Sequence, residues 1–294
     1  MVAWSKAFAF PGFDNIPIYH VIDFFFTGIH RGSIITRAQS LAFSFFLAIF
    51  PATIFLFSLI PYVPIVHFQD QLLALIKDVL PLNAYEAMRE TIEDIIKHQR
   101  GGLLSLGFLF ALYFSTNGIM ALMRGFNSSY HAQEKRSAVK QRIVAINLTL
   151  IISVLVIIAT ALVVFSQLFF KWLVKEHILK NKTQLALLMG GKWIVVLALL
   201  FFAISFLYYY APAVKKKWRF VSAGSTFATV LTMLASIGFA YFVNNFGQYN
   251  KLYGSIGTLI VIMLWINFNS LILLLGFELN ASIDMAKKEI TRRL

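Results

Sequence analysis

The stretch SIGTLIVIMLWINFNSLILLLGF, from Ser255 to Phe277, holds 23 residues and no charged side chain. A helix needs about 20 mostly apolar residues to cross the hydrocarbon core of a bilayer, which is about 30 Å thick. This stretch is therefore long enough to cross a membrane as one helix. It also contains Trp265, Asn267 and Asn269, so polar and aromatic side chains would lie inside the membrane.

Five other stretches of the chain are of similar length and similarly apolar. The whole chain is 59% hydrophobic and 13% charged, whereas soluble domains are about 45–50% apolar and about 25% charged. A soluble core in a chain of this size could not hide so much apolar surface. We predict an all-α polytopic membrane protein, a single membrane domain covering residues 1–294. Its six predicted spans are 40–60, 102–123, 143–170, 193–210, 221–242 and 255–277.

Two further segments are amphipathic and too polar to span. Residues 16–31 carry apolar side chains at helical spacing and predict an N-terminal interfacial helix in the headgroup plane. Residues 65–100 predict an outer amphipathic helical hairpin that lies against the outer (periplasmic) face. Within the first span, Pro51 removes one backbone hydrogen bond and predicts a kink.

The basic residues predict the orientation of the chain. The formal net charge is +13, and Lys and Arg concentrate at 124–142 and 215–219, next to predicted spans. Since cytoplasmic loops carry an excess of Lys and Arg, we predict that both termini lie in the cytoplasm. The same rule accounts for the charge without a nucleic-acid partner.

The residues that usually carry enzyme chemistry form no recognisable pattern. There is no cysteine, the six histidines are scattered without metal-ligand spacing, and no glycine-rich loop resembles a phosphate cradle. We therefore predict that the protein is not an enzyme and needs no metal or cofactor.

Polar residues inside the spans are the candidate functional residues, because such groups usually face a bundle interior or a wet cavity. Hydroxyls repeat at helical spacing along the fifth span, and close helix packing through small residues explains them as well. Arg37 and Glu278 lie at the same predicted depth, where they could pair or bind an ionic group. The mid-span polar groups are neutral, which suits an amphiphile better than a hydrophilic ion. The substrate-path candidates are Arg37, Gln39, Ser40, Pro51, Ser115, Asn117, Thr229, Thr232, Ser236, Trp265, Asn267, Asn269 and Glu278.

Four sequence motifs carry a family resemblance. They are RAQSLAFSFFLAIFP (37–51), YFSTNGIMALMRGFNSSY (113–130), YYYAP (208–212) and FGQYNKLYGSIGTLIVIMLWINFNSLILLLGFELNA (246–281). The last ends in a Gly-x-Glu-x-Asn pattern at Gly276, Glu278 and Asn280. With these motifs the chain resembles the YihY/virulence factor BrkB family of bacterial inner-membrane proteins, formerly mislabelled ribonuclease BN. The resemblance implies six spans and an inner (plasma) membrane location, and it implies no established reaction.

Three functions remain open at the level of sequence. The first is an inner-membrane transporter or lipid-handling protein of the cell envelope, which moves or hands over an amphiphile. The second is a small-solute or ion exporter. The third is a non-transporting scaffold that docks a periplasmic partner through residues 65–100. The expected partners are membrane lipids, with a periplasmic or inner-membrane protein and a homo-oligomer as open alternatives.

Overall fold

The computed structural model describes residues 8–10, 12–62, 70, 73, 93–94, 98–129, 134–175, 182–213, 220–245 and 255–293. Over these residues the chain forms seven α-helices and no strand. The predicted hairpin at 65–100 and the basic cluster at 215–219 lie almost wholly outside the described residues. The helices are α1 (Ile18–Arg31), α2 (Ile34–Leu59), α3 (Gly101–Ser129), α4 (Ala138–Lys175), α5 (Lys182–Tyr210), α6 (Ala223–Asn245) and α7 (Ser255–Arg293).

Six of the seven helices are long and apolar enough to cross a membrane, which confirms the predicted fold class. The exception is α1, the helix predicted to be interfacial. The apolar segments are Ile34–Tyr62, Gly101–Ser129, Ala138–Val163, Gly190–Tyr210, Ala223–Asn244 and Gly257–Arg292.

The chain divides into two compact units. The first consists of residues 1–43 and 119–294, and the second consists of residues 44–118. In the first unit, α7 packs against both α6 and α1, while α5 packs against α4 and α6.

Helix α7 continues well beyond the predicted span, from Phe277 to Arg293. A buried apolar cluster joins this extension to the region of α1. The cluster is formed by Ile16, Val21, Ile283 and Ala286. The apolar side chains predicted for α1 therefore lie in two environments, some of them buried against α7 and others exposed on the surface. Val21 is 1% exposed against α7, whereas Ile22 and Phe26 are 44% and 55% exposed. The exposed side remains available for the predicted contact with the membrane surface.

Two glycines allow α6 and α7 to cross at very short distance. A Cβ atom on Gly224 would overlap the carbonyl oxygen of Gly276, and one on Gly276 would lie 2.7 Å from the Cβ of Ala228. Small residues at such crossings are typical of membrane helices, because they let two backbones approach closely. The Gly276 of the family motif is thus a packing residue.

In the second unit, α2 continues through Pro51 as one helix. Close packing within this unit depends on glycine: a Cβ on Gly107 would lie 3.2 Å from the Cα of Phe55. The ring of Phe55 also lies 5.5 Å from that of Phe108. The unit therefore joins the second half of α2 to the first half of α3.

Candidate functional site

A buried ion pair joins α2 to α7. The Nη2 of Arg37 lies 3.6 Å from the Oε2 of Glu278, and the two side chains are 13% and 1% exposed. The Nη1 of Arg37 donates hydrogen bonds to the carbonyl oxygen of Gly125 at 2.8 Å and to the Oγ of Ser129 at 2.9 Å, both on α3. Of the two possibilities that the sequence left open for these residues, pairing with each other or binding an ionic group, the structure shows the pairing.

The ion pair is tightly enclosed and incompletely hydrogen-bonded. Among the atoms that the structure describes, the Nε and Nη2 of Arg37 and the Oε2 of Glu278 have no hydrogen-bond partner. A Cβ on Gly28 of α1 would overlap the Glu278 carboxylate, and one on Gly32 would lie 2.6 Å from the Nη2 of Arg37. The two buried charges pair with each other, so the geometry favours a structural connection between helices at this point.

A second polar cluster ties the segment after α3 to the end of α5. The Nδ2 of Asn127 donates to Glu134 at 2.9 Å, and the side chain of Arg136 donates to both carboxylate oxygens of Glu134. Arg136 also donates to the carbonyl oxygen of Ala211, while the backbone N–H of Ala213 donates to Asn127. The hydrogen bond from Arg136 holds the pKa of Glu134 below its ordinary value. None of these residues was predicted as functional, although Asn127 lies within a family motif.

The last residue of the Gly-x-Glu-x-Asn motif caps α6. The Oδ1 of Asn280 accepts the backbone N–H of Gly224 at 2.8 Å, and its Nδ2 donates to the Oγ of Ser222 at 2.9 Å. The first N–H groups of a helix have no partner within the helix, so an amide oxygen from α7 stabilises this end of α6. The three motif residues therefore have three separate structural tasks: close crossing, ion pairing and capping.

The hydroxyl stripe of α6 forms hydrogen bonds within its own helix. Thr229 donates to the carbonyl oxygen of Ser225 at 2.8 Å, and Ser236 donates to that of Thr232 at 2.7 Å. Ser225 and Thr229 are buried, while Thr232 and Ser236 are half-buried. This geometry favours the packing interpretation of the stripe near Thr229. A role for Thr229, Thr232 and Ser236 in a substrate path stays a prediction.

A cavity of about 370 Å³ lies between α2 and α7 in the first unit. Two of the predicted path residues, Gln39 and Asn267, contribute its amide groups. The Oδ1 of Asn267 is buried and has no hydrogen-bond partner among the described residues. The other lining residues are apolar: Ala42, Leu259, Ile260, Met263 and Leu264.

The other candidates on α7 and α2 lie outside this cavity. The Nδ2 of Asn269 donates to the carbonyl oxygen of Trp265 at 2.8 Å, within α7. The ring of Trp265 lies 4.8 Å from that of Phe239 on α6. Ser40 is exposed on α2. The remaining candidates, Pro51, Ser115 and Asn117, belong to the second unit, where Ser115 and Asn117 are half-buried.

One buried residue that the sequence did not single out as functional is Tyr208. Its hydroxyl donates to the carbonyl oxygen of Leu273 at 2.7 Å, and its ring meets a stacked pair formed by Phe126 and Phe277, whose centroids lie 4.0 Å apart. The tyrosine therefore joins α5 to α7. Tyr208 lies in the YYYAP motif, and that position is the feature of the sequence that could have identified it.

No group of three or more His, Cys, Asp or Glu side chains in the described part of the chain is placed to hold a metal ion.

Comparisons with known proteins agree with this description of a membrane protein. A model of the family described as "Virulence factor BrkB" matches residues 25–293. The "Putative ribonuclease-like protein YfkH" of Bacillus subtilis is 32% identical over 260 residues, which cover 88% of this chain and 93% of YfkH. The "UPF0761 membrane protein NTHI0384" of Haemophilus influenzae is 23% identical over 256 residues, covering 86% of this chain and 91% of that protein. No solved structure matches the chain.

Proposed function

The chain belongs to the Virulence factor BrkB family, and we propose that within this family it moves or hands over a membrane amphiphile, without enzymatic chemistry, at the cavity between α2 and α7. The observation that carries the proposal is the lining of this cavity. Among the described residues, this lining is apolar apart from the neutral amides of Gln39 and Asn267. Apolar walls with a few placed polar groups are typical of sites for small amphiphilic ligands.

The position of the cavity on α7 supports access from the lipid phase. Three of its lining side chains, Leu259, Ile260 and Leu264, are also among the exposed apolar residues of α7. In a membrane such exposed side chains face lipid tails. An amphiphile could therefore place its polar group in the cavity while its chains remain in the bilayer.

Charge argues against the rival function of a hydrophilic-ion exporter. Residues that carry protons or ions across a membrane are usually charged and face the bundle interior, and no charged side chain among the described residues lines the cavity. The charged pair of Arg37 and Glu278 is buried, and Gly28 and Gly32 approach it closely, so the two charges are held against each other. Solute flux through liposomes without movement of lipid would favour the exporter instead.

The name of YfkH raises nuclease activity as a further rival. Many metal-dependent nucleases use two metal ions held close together at the reacting phosphate. Purified protein that degrades tRNA in the presence of a divalent metal ion would overturn our proposal that the chain is not an enzyme.

We expect a photo-crosslinking amino acid at Met263 to capture a membrane lipid in a saturable way, because Met263 lines the cavity. The measurement is mass spectrometry of the adducts formed in nanodiscs as unlabelled lipid is added. The matched control is Ile157 of α4, which is 66% exposed and should contact bulk lipid without saturation. If unlabelled lipid fails to reduce labelling at Met263, as it should fail at Ile157, the cavity does not bind lipid.

We also expect the protein to lie in the bacterial inner membrane with both termini in the cytoplasm. Gly102 lies at the start of α3 and Ser137 lies directly before α4, and both are exposed. In the cysteine-free chain, an impermeant maleimide should label Gly102→Cys in spheroplasts, whose outer membrane has been removed. It should label Ser137→Cys, and Lys288→Cys on the C-terminal part of α7, only after the inner membrane is permeabilised. The reverse pattern would contradict the predicted orientation.

A further inference from the structure

The membrane-spanning part of α4 carries an exposed side-chain amide, that of Asn147. This residue lies five positions beyond Arg142, or about 7 Å along the helix axis, and no charged residue occurs between Arg142 and Lys171. Asn147 therefore lies in the hydrocarbon region, where lipid tails offer no hydrogen bond. Its side chain is too short to reach the headgroups, as a lysine or arginine can. An amide in this place needs a protein partner.

The chain itself does not supply that partner. The side-chain amide of Asn147 forms no hydrogen bond with the residues that the structure describes. Thr149, two positions further along α4, shows the ordinary solution, because its hydroxyl donates to the carbonyl oxygen of Ala145 at 2.8 Å. The packed face of α4 is a different one, where Ala145 and Leu148 are 0% and 1% exposed. The partner of Asn147 must therefore come from another molecule.

Asn147 belongs to a row of exposed residues with the spacing of a coiled coil. The α4 row consists of Ile143, Asn147, Leu150, Val154 and Ile157, which are separated by four, three, four and three positions. Its four apolar members are between 51% and 66% exposed. In a heptad, Asn147 and Val154 take the a positions, and the other three take the d positions. Such a row faces a second helix that packs at a small crossing angle, about 20° in most membrane bundles.

The asparagine identifies that second helix. An amide holds both a donor and an acceptor, so two asparagines complement each other. Two copies of one membrane protein insert with the same orientation, so their α4 helices run parallel. A two-fold axis along the membrane normal then brings each a residue against the same residue of the other copy. Parallel two-stranded coiled coils favour a β-branched residue at a and Leu at d, and a single Asn at a fixes their register. Val154, Leu150 and Asn147 match these three preferences.

We infer that the protein forms a homodimer through the α4 row, in which the Asn147 amides of the two copies hydrogen-bond to each other across the two-fold axis. The dimer does not depend on the proposed lipid function, because the cavity between α2 and α7 shares no residue with the α4 row. In a nanodisc that holds a single copy, Ile157 still faces lipid. The lipid-labelling comparison of Met263 with Ile157 is therefore made in such nanodiscs.

Single cysteines test the α4 row directly, since the chain has no cysteine. Val154 and Val156 are the same residue type with nearly equal exposure, 54% and 55%, but they lie about 200° apart around the helix. We expect Val154→Cys to form a disulfide-linked dimer in oxidised native membranes and Val156→Cys to remain monomeric. Equal crosslinking of both variants, or none of Val154→Cys, would overturn the inference. A Val154→Cys product with a mass other than that of two chains would identify a different partner and would also overturn it.

The role of Asn147 is measured by the dissociation constant of the dimer, from single-molecule photobleaching of dye-labelled protein diluted in liposomes. Asn147→Leu should raise this constant about tenfold, which corresponds to about 1.4 kcal/mol and lies within the range measured for interhelical hydrogen bonds in membranes. Thr149→Val is the matched control, because the Thr149 hydroxyl bonds within its own helix, and it should leave the constant unchanged. An unchanged constant in Asn147→Leu would show that the two amides do not pair. The cysteine comparison keeps Asn147, so poor folding of Asn147→Leu would not remove the test.

Discussion

Replacement of Glu278 by leucine is expected to lower the free energy of unfolding by about 3–5 kcal/mol, the usual effect of removing one member of a buried ion pair. The change leaves the guanidinium of Arg37 buried, with its Nε and Nη2 atoms already lacking hydrogen-bond partners among the described residues. The measurement is unfolding of the detergent-solubilised protein by titration with a denaturing detergent. Abundance in the membrane should fall in parallel, since this loss is a large part of the stability of an ordinary domain.

A double substitution distinguishes pairing from simple loss of packing. If Glu278 mainly compensates Arg37, the combination of Arg37→Gln and Glu278→Gln should be less destabilised than the sum of the two single variants. Lys287→Gln is the matched control, because the ion pair of Lys287 with Asp14 is about half exposed on both sides. Such surface pairs contribute about 0–1 kcal/mol. Additive effects in the double variant would show that the two charges do not depend on each other.

The six spans could be predicted from sequence because length and hydropathy alone specify a membrane helix. The pairing of Arg37 with Glu278 was one of two possibilities that the sequence left open, since charges on two spans at the same depth could pair or bind an ionic group. The sequence analysis ended the sixth predicted span at Phe277, before the charged residues near the C-terminus, whereas α7 continues to Arg293. The extension is amphipathic, and Ile283 and Ala286 on it meet Val21 of α1. The helical spacing of these apolar residues predicts that the helix continues, but the pattern is hard to recognise among the neighbouring lysines and arginines.

The roles of individual polar residues inside the spans could not be read from the sequence. Asn267 and Asn269 are the same residue type, two positions apart, and both were candidates. Only the three-dimensional arrangement shows that the amide of Asn269 bonds to its own helix, while the Oδ1 of Asn267 is buried without a hydrogen-bond partner among the described residues. The same holds for Asn280, whose partner Gly224 is 56 residues away in the chain. Such partners depend on how helices cross, which periodicity within one helix does not encode.

The crossing of α6 and α7 leads to the second large expected effect. Gly224→Ala should lower the free energy of unfolding by about 3 kcal/mol, at the upper end of the usual range for overpacking a close contact. The new methyl group would overlap the carbonyl oxygen of Gly276 and lie 2.6 Å from the Cγ of Asn280. Backbone cannot move aside as a flexible side chain can, so the two helices must separate. That separation also weakens the hydrogen bond by which Asn280 caps α6.

Gly238→Ala is the matched control, on the same helix. A Cβ at Gly238 has no neighbour within 4 Å, and alanine favours the helix over glycine by up to about 1 kcal/mol. Gly238→Ala should therefore leave stability unchanged or raise it slightly under the same detergent titration. Equal stability of the two variants would mean that α6 and α7 do not touch at Gly224. If Gly224→Ala also abolishes saturable labelling at Met263 while Gly238→Ala does not, the close crossing holds α7 in the position that forms the cavity.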